Sequence, residues 1–393
     1  MREPLASVVG VGASTVGRHT DELEHEIMIP VLLDAVADAG VSKSDLDSFV
    51  LSSPRPYIEQ KYFATFLAAY LDLPVEDILL ETHGNGMSGA LAFDIAVDRI
   101  ASGHAKVAVA LGVSKETHIS TGEHLQWSMR MVGDVDFHTP FGMTSISWYA
   151  MNATAYMHEY GVGRRELAEV AVKNRRHAAA NPIAQFRELI TVDDVLDSRP
   201  IVRPLHLLDV PPRSDGAAAV IVVAPELADK FRGDPVHVLS RGHYHEGIHQ
   251  ISTRPRSLTS FPAAARAASK AYEAAGIAPA DIDVAEVYAP CSIVEVILSE
   301  SLGFFPEGGG VKAALEGRTT SQGDKAMCTS GGCTSRGHPP MATPLYNVVE
   351  AVEQLRAESG ERQVPGAEFA LTSAELGDYN STLIHVFGRG ETL

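Results

Sequence analysis

The chain has only three cysteines, Cys291, Cys328 and Cys333, among 393 residues. So few, and odd in number, they exclude the disulfide framework of a secreted scaffold, and a reducing, cytoplasmic compartment is expected. Positive charge is also scarce: 32 Lys and Arg stand against 50 Asp and Glu, a formal net charge of -18. A chain of that sign is unsuited to a broad phosphate-binding surface, which argues against nucleic acid as a partner. One local basic patch for a nucleotide remains compatible with it. No run approaches the roughly 20 apolar residues of a spanning helix, and the N-terminus has no basic segment leading into an apolar stretch, so neither membrane span nor leader is expected.

What is present is the composition of a globular enzyme, with 45% hydrophobic and 21% charged residues. At about 100 to 200 residues per domain, the length predicts two or three packed units. The run from Ala6 to Gly12 reads as a buried strand entering a tight turn. Its glycines resemble part of a dinucleotide fingerprint, but in the segment Gly10 to Gly17 the third glycine comes too late and no helix follows at once, which argues against Rossmann-type binding. From Glu22 to Ala39 apolar residues recur at helical spacing and Gly40 ends the helix; a strand follows at Phe49 to Leu51.

The segment Ala39 to Asp47 returns as Ala275 to Asp283, each copy after a helix and before a short apolar strand, at a constant offset of 236. Each is followed by a glycine-rich turn, a helix and a strand: Gly84 to Ser102 then Val107 to Leu111, and Gly331 to Glu358 then Phe369 to Thr372. This predicts a duplicated α/β protein. One half comprises residues 1–114 and 181–225, the other 226–393. Between them residues 115–180, with both tryptophans, Trp127 and Trp148, read as an insertion bearing substrate contacts.

The duplication, together with Gly331-Gly-Cys-Thr-Ser-Arg-Gly-His-Pro339, resembles the thiolase superfamily, especially its sterol-carrier-protein-x and lipid-transfer branch. The stretches Thr139 to Gly142, Tyr149 to Gly161 and Arg213 to Ala219 resemble the same branch, so the similarity spans nearly the whole chain. The resemblance implies a five-layered α-β-α-β-α fold built from two βαβαβ-type halves, at least dimeric, with the site where loops of the halves meet.

Carried onto this sequence, the family's Cys-x-Ser-Gly turn falls on Gly86-Met87-Ser88-Gly89, so the nucleophilic cysteine is replaced by Gly86. Covalent acylation at that position is unavailable. The two glycines keep a tight helix entrance and leave a backbone oxyanion site, while Ser88 is either a structural residue or a substitute nucleophile. His338 matches the family histidine, with a side chain suited to proton transfer near neutral pH. Tyr288, in Tyr288-Ala-Pro-Cys291, stands where the family has a polar residue; its phenol can donate to a thioester oxygen or relay a proton, or simply pack at a strand end. His138 resembles a pocket-lining position, and Gly377 is the likeliest survivor of the C-terminal glycine turn, replaced here by Glu375 to Asn380.

The three cysteines are read as core thiols. His243, His245 and His249 have a spacing that could suit a metal, but no carboxylate motif completes the set, so no metal is expected. No cofactor is expected either, coenzyme A entering as part of the substrate. A missing thiol beside a retained histidine fits retro-aldol cleavage of a β-hydroxyacyl thioester, which needs a base and an oxyanion site. The methionines and aromatics of the insertion, Met129, Met131, Phe137, Phe141, Met143 and Trp148, suit either a bulky apolar acyl group or plain core. The resemblance extends to cysteine-less steroid side-chain aldolases, which implies a homodimeric core and a small OB-fold, zinc-ribbon partner in a heterotetramer. The alternatives are an acyltransferase and a non-catalytic lipid-binding subunit.

Overall fold

The computed structural model describes residues 3–54, 58–73, 75–131, 133–231, 234–247 and 256–390. Ten strands form one sheet: β1 (Ala6–Ala13), β2 (Ser48–Ser52), β3 (Leu79–Thr82), β4 (Val107–Ser114), β5 (Gly216–Val223), β6 (Val236–His245), β7 (Val284–Glu286), β8 (Ala326–Met327), β9 (Phe369–Leu376) and β10 (Ser381–Arg389). The main helices are α1 (Glu24–Ala39), α2 (Phe63–Leu71), α3 (Ser88–Ala101), α4 (Thr121–Met131), α5 (Ser145–Tyr160), α6 (Arg164–Ala179), α7 (Pro262–Ala275), α8 (Ser292–Ser301) and α9 (Thr343–Leu355).

The strand order is β8-β7-β9-β10-β6-β1-β5-β4-β2-β3. Counted outward from the centre, one half runs β1, β5, β4, β2, β3 and the other repeats it with five added to each number. Strand directions repeat as well. β2 is parallel to β3 and β4, as β7 is to β8 and β9, while β5 and β10 are each antiparallel to both neighbours. The halves join at the short pairing of β1 with β6, Ala6 opposite Val238 and Val8 opposite Val236.

The repeat reaches single residues. Asp47 Oδ2 accepts the N–H groups of Lys106 and Val107, and Asp283, 236 positions later, accepts those of Glu368 and Phe369. Gly40 and Gly276 end α1 and α7 in the left-handed region, with φ 70° and 74°. A Cβ on Gly12 would run into the Val31 carbonyl, and one on Gly242 into that of Ala267, the residue 236 beyond Val31. Each helix therefore lies closer to its strand than any side chain allows.

Alternation along the strands separates the layers. In β4, Ala108 and Ala110 belong to a central core shared with α3 and α9, whereas Val107, Val109, Leu111 and Val113 face α1 and α2. The central core also draws Val284, Ala370 and Phe387 from the second half. A third core sets β9 and β10 against α7 and α8. Helices, the first half of the sheet, α3 with α9, the second half of the sheet and helices make the five-layered arrangement that the resemblance implied.

Residues 115–180 supply α4, α5 and α6. Tyr149 and Tyr156 of α5 and Leu167 and Val170 of α6 join the outer core of the second half. No residue of α4 is buried, and Phe137 and Phe141 are 72% and 83% exposed. Trp148 is buried, so the aromatic stretch is partly core and partly surface. No helix among the described residues is long and apolar enough to cross a membrane.

Candidate active site

Three segments meet at the end of the central helix layer. The turn Asn85–Met87 leads into α3, Tyr288 follows β7 by two residues, and His338 lies in the loop before α9. Tyr288 is 2% exposed, and its main chain is held from both sides: its N–H donates to Ser373 Oγ at 3.2 Å and its carbonyl accepts the Tyr379 hydroxyl. The phenol then reaches His338, with 2.7 Å between Oη and Nε2 and the rings meeting edge to face.

His338 is positioned by its backbone. Its N–H donates to Ser214 Oγ at 2.9 Å, and that hydroxyl donates onward to Gln185 Oε1 at 2.6 Å. Gly337 has φ 112°, and a Cβ there would lie 2.9 Å from Gln185 Oε1, so this turn requires glycine. Residues 331 to 337 are buried while His338 itself is partly exposed, which presents the imidazole from a rigid loop.

Gly86 completes the contact. A Cβ at Gly86 would lie 2.7 Å from Tyr288 Oη and 2.8 Å from its Cζ. The phenol thus occupies the space into which any side chain at residue 86 would project, and the tyrosine and the glycine are one feature. Gly89 has another task, since its Cβ would lie 2.8 Å from the Met341 carbonyl, in the segment just beyond His338.

The other expected site residues are placed differently. Ser88 has no exposed surface; its hydroxyl accepts the Gly84 N–H at 2.8 Å and points at Met341 Sδ, 3.7 Å away. It closes the helix entrance and does not present a nucleophile or an oxyanion donor. His138 Nδ1 accepts the Asp134 N–H at 2.8 Å, which ties that nitrogen to its local turn. Gly377, with φ 75°, opens the turn from β9 to β10, and that turn carries Tyr379 to the Tyr288 carbonyl.

The sequence reading passed over the carboxylates around this pair. Glu375, at the end of β9, accepts the Tyr149 hydroxyl at 3.1 Å and is 6% exposed. Burial, and then the charge of Asp378, push its carboxyl up to about 8, so it is neutral at pH 7. Glu286, two residues before Tyr288, is fully buried and pushed up to about 7, first by burial and then by Glu350. A single acidic residue within the apolar run Val284-Ala-Glu-Val287 was the signal available for it.

Burial raises the thiols of Cys291 and Cys328 well above their ordinary value and that of Cys333 to about 12. None is a thiolate near neutral pH. His243 Nε2 lies 3.1 Å from Ser381 Oγ, His245 accepts the Gly247 N–H, and His249 lies outside the described residues. Among the described residues no three His, Cys, Asp or Glu side chains are grouped to hold a metal.

Residues 7–226 match the thiolase N-terminal domain and residues 242–389 the thiolase C-terminal domain-like family. The chain is 35% identical over 386 residues to an acetyl-CoA acetyltransferase of Methanothermobacter thermautotrophicus, covering 98% of this chain and 99% of that one. It is 31% identical over 350 residues to sterol carrier protein 2 of Oryctolagus cuniculus, covering 86% of this chain and 63% of that protein. Among solved structures, an Ltp2-ChsH2(DUF35) aldolase superposes with a TM-score of 0.84 at 28% identity over 98% of both chains. The chain belongs to the thiolase superfamily and is an enzyme of that superfamily.

Proposed function

We propose that this enzyme cleaves a bulky, steroid-type β-hydroxyacyl-CoA by a retro-aldol reaction. The observation that carries the reading is the Tyr288–His338 hydrogen bond of 2.7 Å, with the phenol seated over Gly86 where a thiolase needs its thiol. Tyr288 takes the proton of the substrate's β-hydroxyl while His338 accepts the phenol's own proton. The O–H electron pair becomes the carbonyl bond of the departing ketone or aldehyde. The pair of the Cα–Cβ bond moves onto the thioester as an enolate, which takes at Cα the proton that His338 gained and leaves as the shortened acyl-CoA, with the Tyr288–His338 pair restored. The positive end of the 14-residue α3, beside Gly86, favours the developing enolate oxygen.

No cofactor enters, coenzyme A being part of the substrate. The assembly consistent with this reading is a homodimer of this chain completed by a small OB-fold, zinc-ribbon protein, in the cytoplasm. The likeness to the solved Ltp2-ChsH2(DUF35) aldolase supports such a partner. Product analysis by mass spectrometry on β-hydroxyacyl-CoA and β-ketoacyl-CoA panels, with and without that partner, is the test. A ketone or aldehyde plus shortened acyl-CoA from the hydroxy substrates is expected. The 35% identity to an acetyl-CoA acetyltransferase supports acyl transfer as the alternative, and thiolysis of the keto substrates or a stable acyl adduct would establish it. Binding without turnover would point to a non-catalytic subunit.

A further inference from the structure

Beneath the Tyr288–His338 pair lies a hydrogen count that does not close if every buried carboxylate is charged. Thr329 Oγ1 lies 3.1 Å from Glu286 Oε1 and 2.9 Å from Glu350 Oε1. A threonine hydroxyl has one hydrogen, so it can donate to one carboxylate only. The other short contact closes only if that carboxyl carries a proton and donates it to the threonine oxygen. Glu350 is the ionised partner, because Arg362 Nε lies 3.1 and 2.9 Å from its two oxygens and Gln354 donates to it as well. Glu286 faces a guanidinium only at 3.8 Å, from Arg336 Nη1, whose hydrogen bonds go to Ser330 Oγ and Asn347 Oδ1.

The neutral member sits between the two catalytic segments. Glu286 is two residues before Tyr288, and it accepts the Ser330 N–H at 3.0 Å and the Ser330 hydroxyl at 2.7 Å. Thr329 and Ser330 begin the buried loop that ends at His338, and Glu350 belongs to α9, which follows that loop. The titratable and charged groups facing Glu286 are Glu350 and Arg362 from the α9 side, Arg336 from the loop, and the thiols of Cys328 and Cys333. Thr372 of β9 stands beside it in register.

We infer that Glu286, held neutral in a chain of hydrogen bonds from Glu286 through Thr329 to Glu350, is a positioning residue that locks the His338 loop against Tyr288. This rests on Tyr288 and His338 being the reacting pair proposed above. When Glu286 ionises, two carboxylates face one hydroxyl with a single hydrogen between them, the Thr329–Ser330 contacts loosen, and His338 loses its register on the phenol. The upward shift of the Glu286 carboxyl, to about 7, agrees with this and places the transition near neutral pH.

The test uses the full-length chain and has two readouts. Infrared spectroscopy of the resting protein, without substrate, follows the buried protonated-carboxyl stretch as pH rises, with Glu375→Gln and Glu353→Gln removing the signals of two other carboxyls that burial raises, to about 8 and about 7. A band that survives in both variants, is absent from Glu286→Gln and disappears as pH rises is expected. Steady-state kinetics on whichever CoA thioester is turned over gives the second readout. Glu286→Gln, a neutral isostere, should keep kcat within about threefold at acidic pH and lose the alkaline fall of kcat seen in wild type, with KM unchanged. Thr329→Val should lower kcat about tenfold at all pH values, with little change in KM. A Glu286→Gln infrared spectrum that loses the same bands with rising pH as wild type, or an alkaline limb identical in that variant and wild type, would overturn the inference. The infrared result stands even if no hydroxyacyl-CoA is cleaved, so failure of the aldolase reading remains distinguishable.

Discussion

Tyr288 Oη lies 2.7 Å from His338 Nε2 and, at the same distance, over the point where Gly86 would carry a Cβ. The phenol therefore both contacts the histidine and fills the space that a side chain at residue 86 would need. Restoring the thiol alone should not restore thiolase chemistry. Gly86→Cys is expected to displace the phenol, lower turnover on the order of 100-fold, and form no acyl adduct by intact-protein mass spectrometry. Adding Tyr288→Asn frees the space, and the double variant is the one expected to take up an acyl group.

Removing only the phenol oxygen tests the proton relay. Tyr288→Phe keeps the ring's packing, so kcat should fall by about 10²–10⁴ with KM nearly unchanged and the melting temperature close to wild type. A KM rise at constant kcat would show instead that the phenol serves binding.

Ser88 separates structure from chemistry at the entrance to α3. Its buried hydroxyl accepts the Gly84 N–H, so Ser88→Ala leaves a donor unsatisfied and should cost about 1–3 kcal/mol in chemical denaturation. Turnover per folded molecule is expected to stay within about threefold of wild type.

Glu375 makes stability depend on pH. Its carboxyl is pushed from 4.5 in the open chain to about 8 in the folded one. Between those values the folded protein keeps a proton that the unfolded chain has released, so stability falls as pH rises, by up to about 1.4 kcal/mol per unit. Glu375→Gln should remove this dependence. Thermal melts from about pH 5 to about pH 8 are expected to show the variant gaining steadily on wild type.

Gly12 and Gly242 should respond alike, because each lets a helix carbonyl approach its strand: Val31 in one half, Ala267 in the other. Gly12→Ala and Gly242→Ala are each expected to destabilise by about 1–3 kcal/mol or more in denaturant titrations, while alanine at exposed Gly122, with open space around it, should not.

Much of the architecture was legible because it is written locally. Helix ends, the 236-residue offset and the period-two strands are set by neighbours in the chain, and the structure repeats them down to Asp47 and Asp283. The pairing of β1 with β6 was not legible, since nothing in either strand names its partner 230 residues away. The same divide runs through the site. Motif positions singled out Gly86, Tyr288 and His338, but not that the phenol fills the space above the glycine, which depends on β7, the α3 entrance and the α9 loop converging. Ser88, open in the sequence between a structural and a chemical role, has a buried hydroxyl that accepts the Gly84 N–H, and burial is a property of the whole fold. Glu286 and Glu350, 64 positions apart, have ordinary side chains in the sequence. Only desolvation and a shared threonine hydroxyl make one of them neutral, and those exist only once β7 and α9 are packed together.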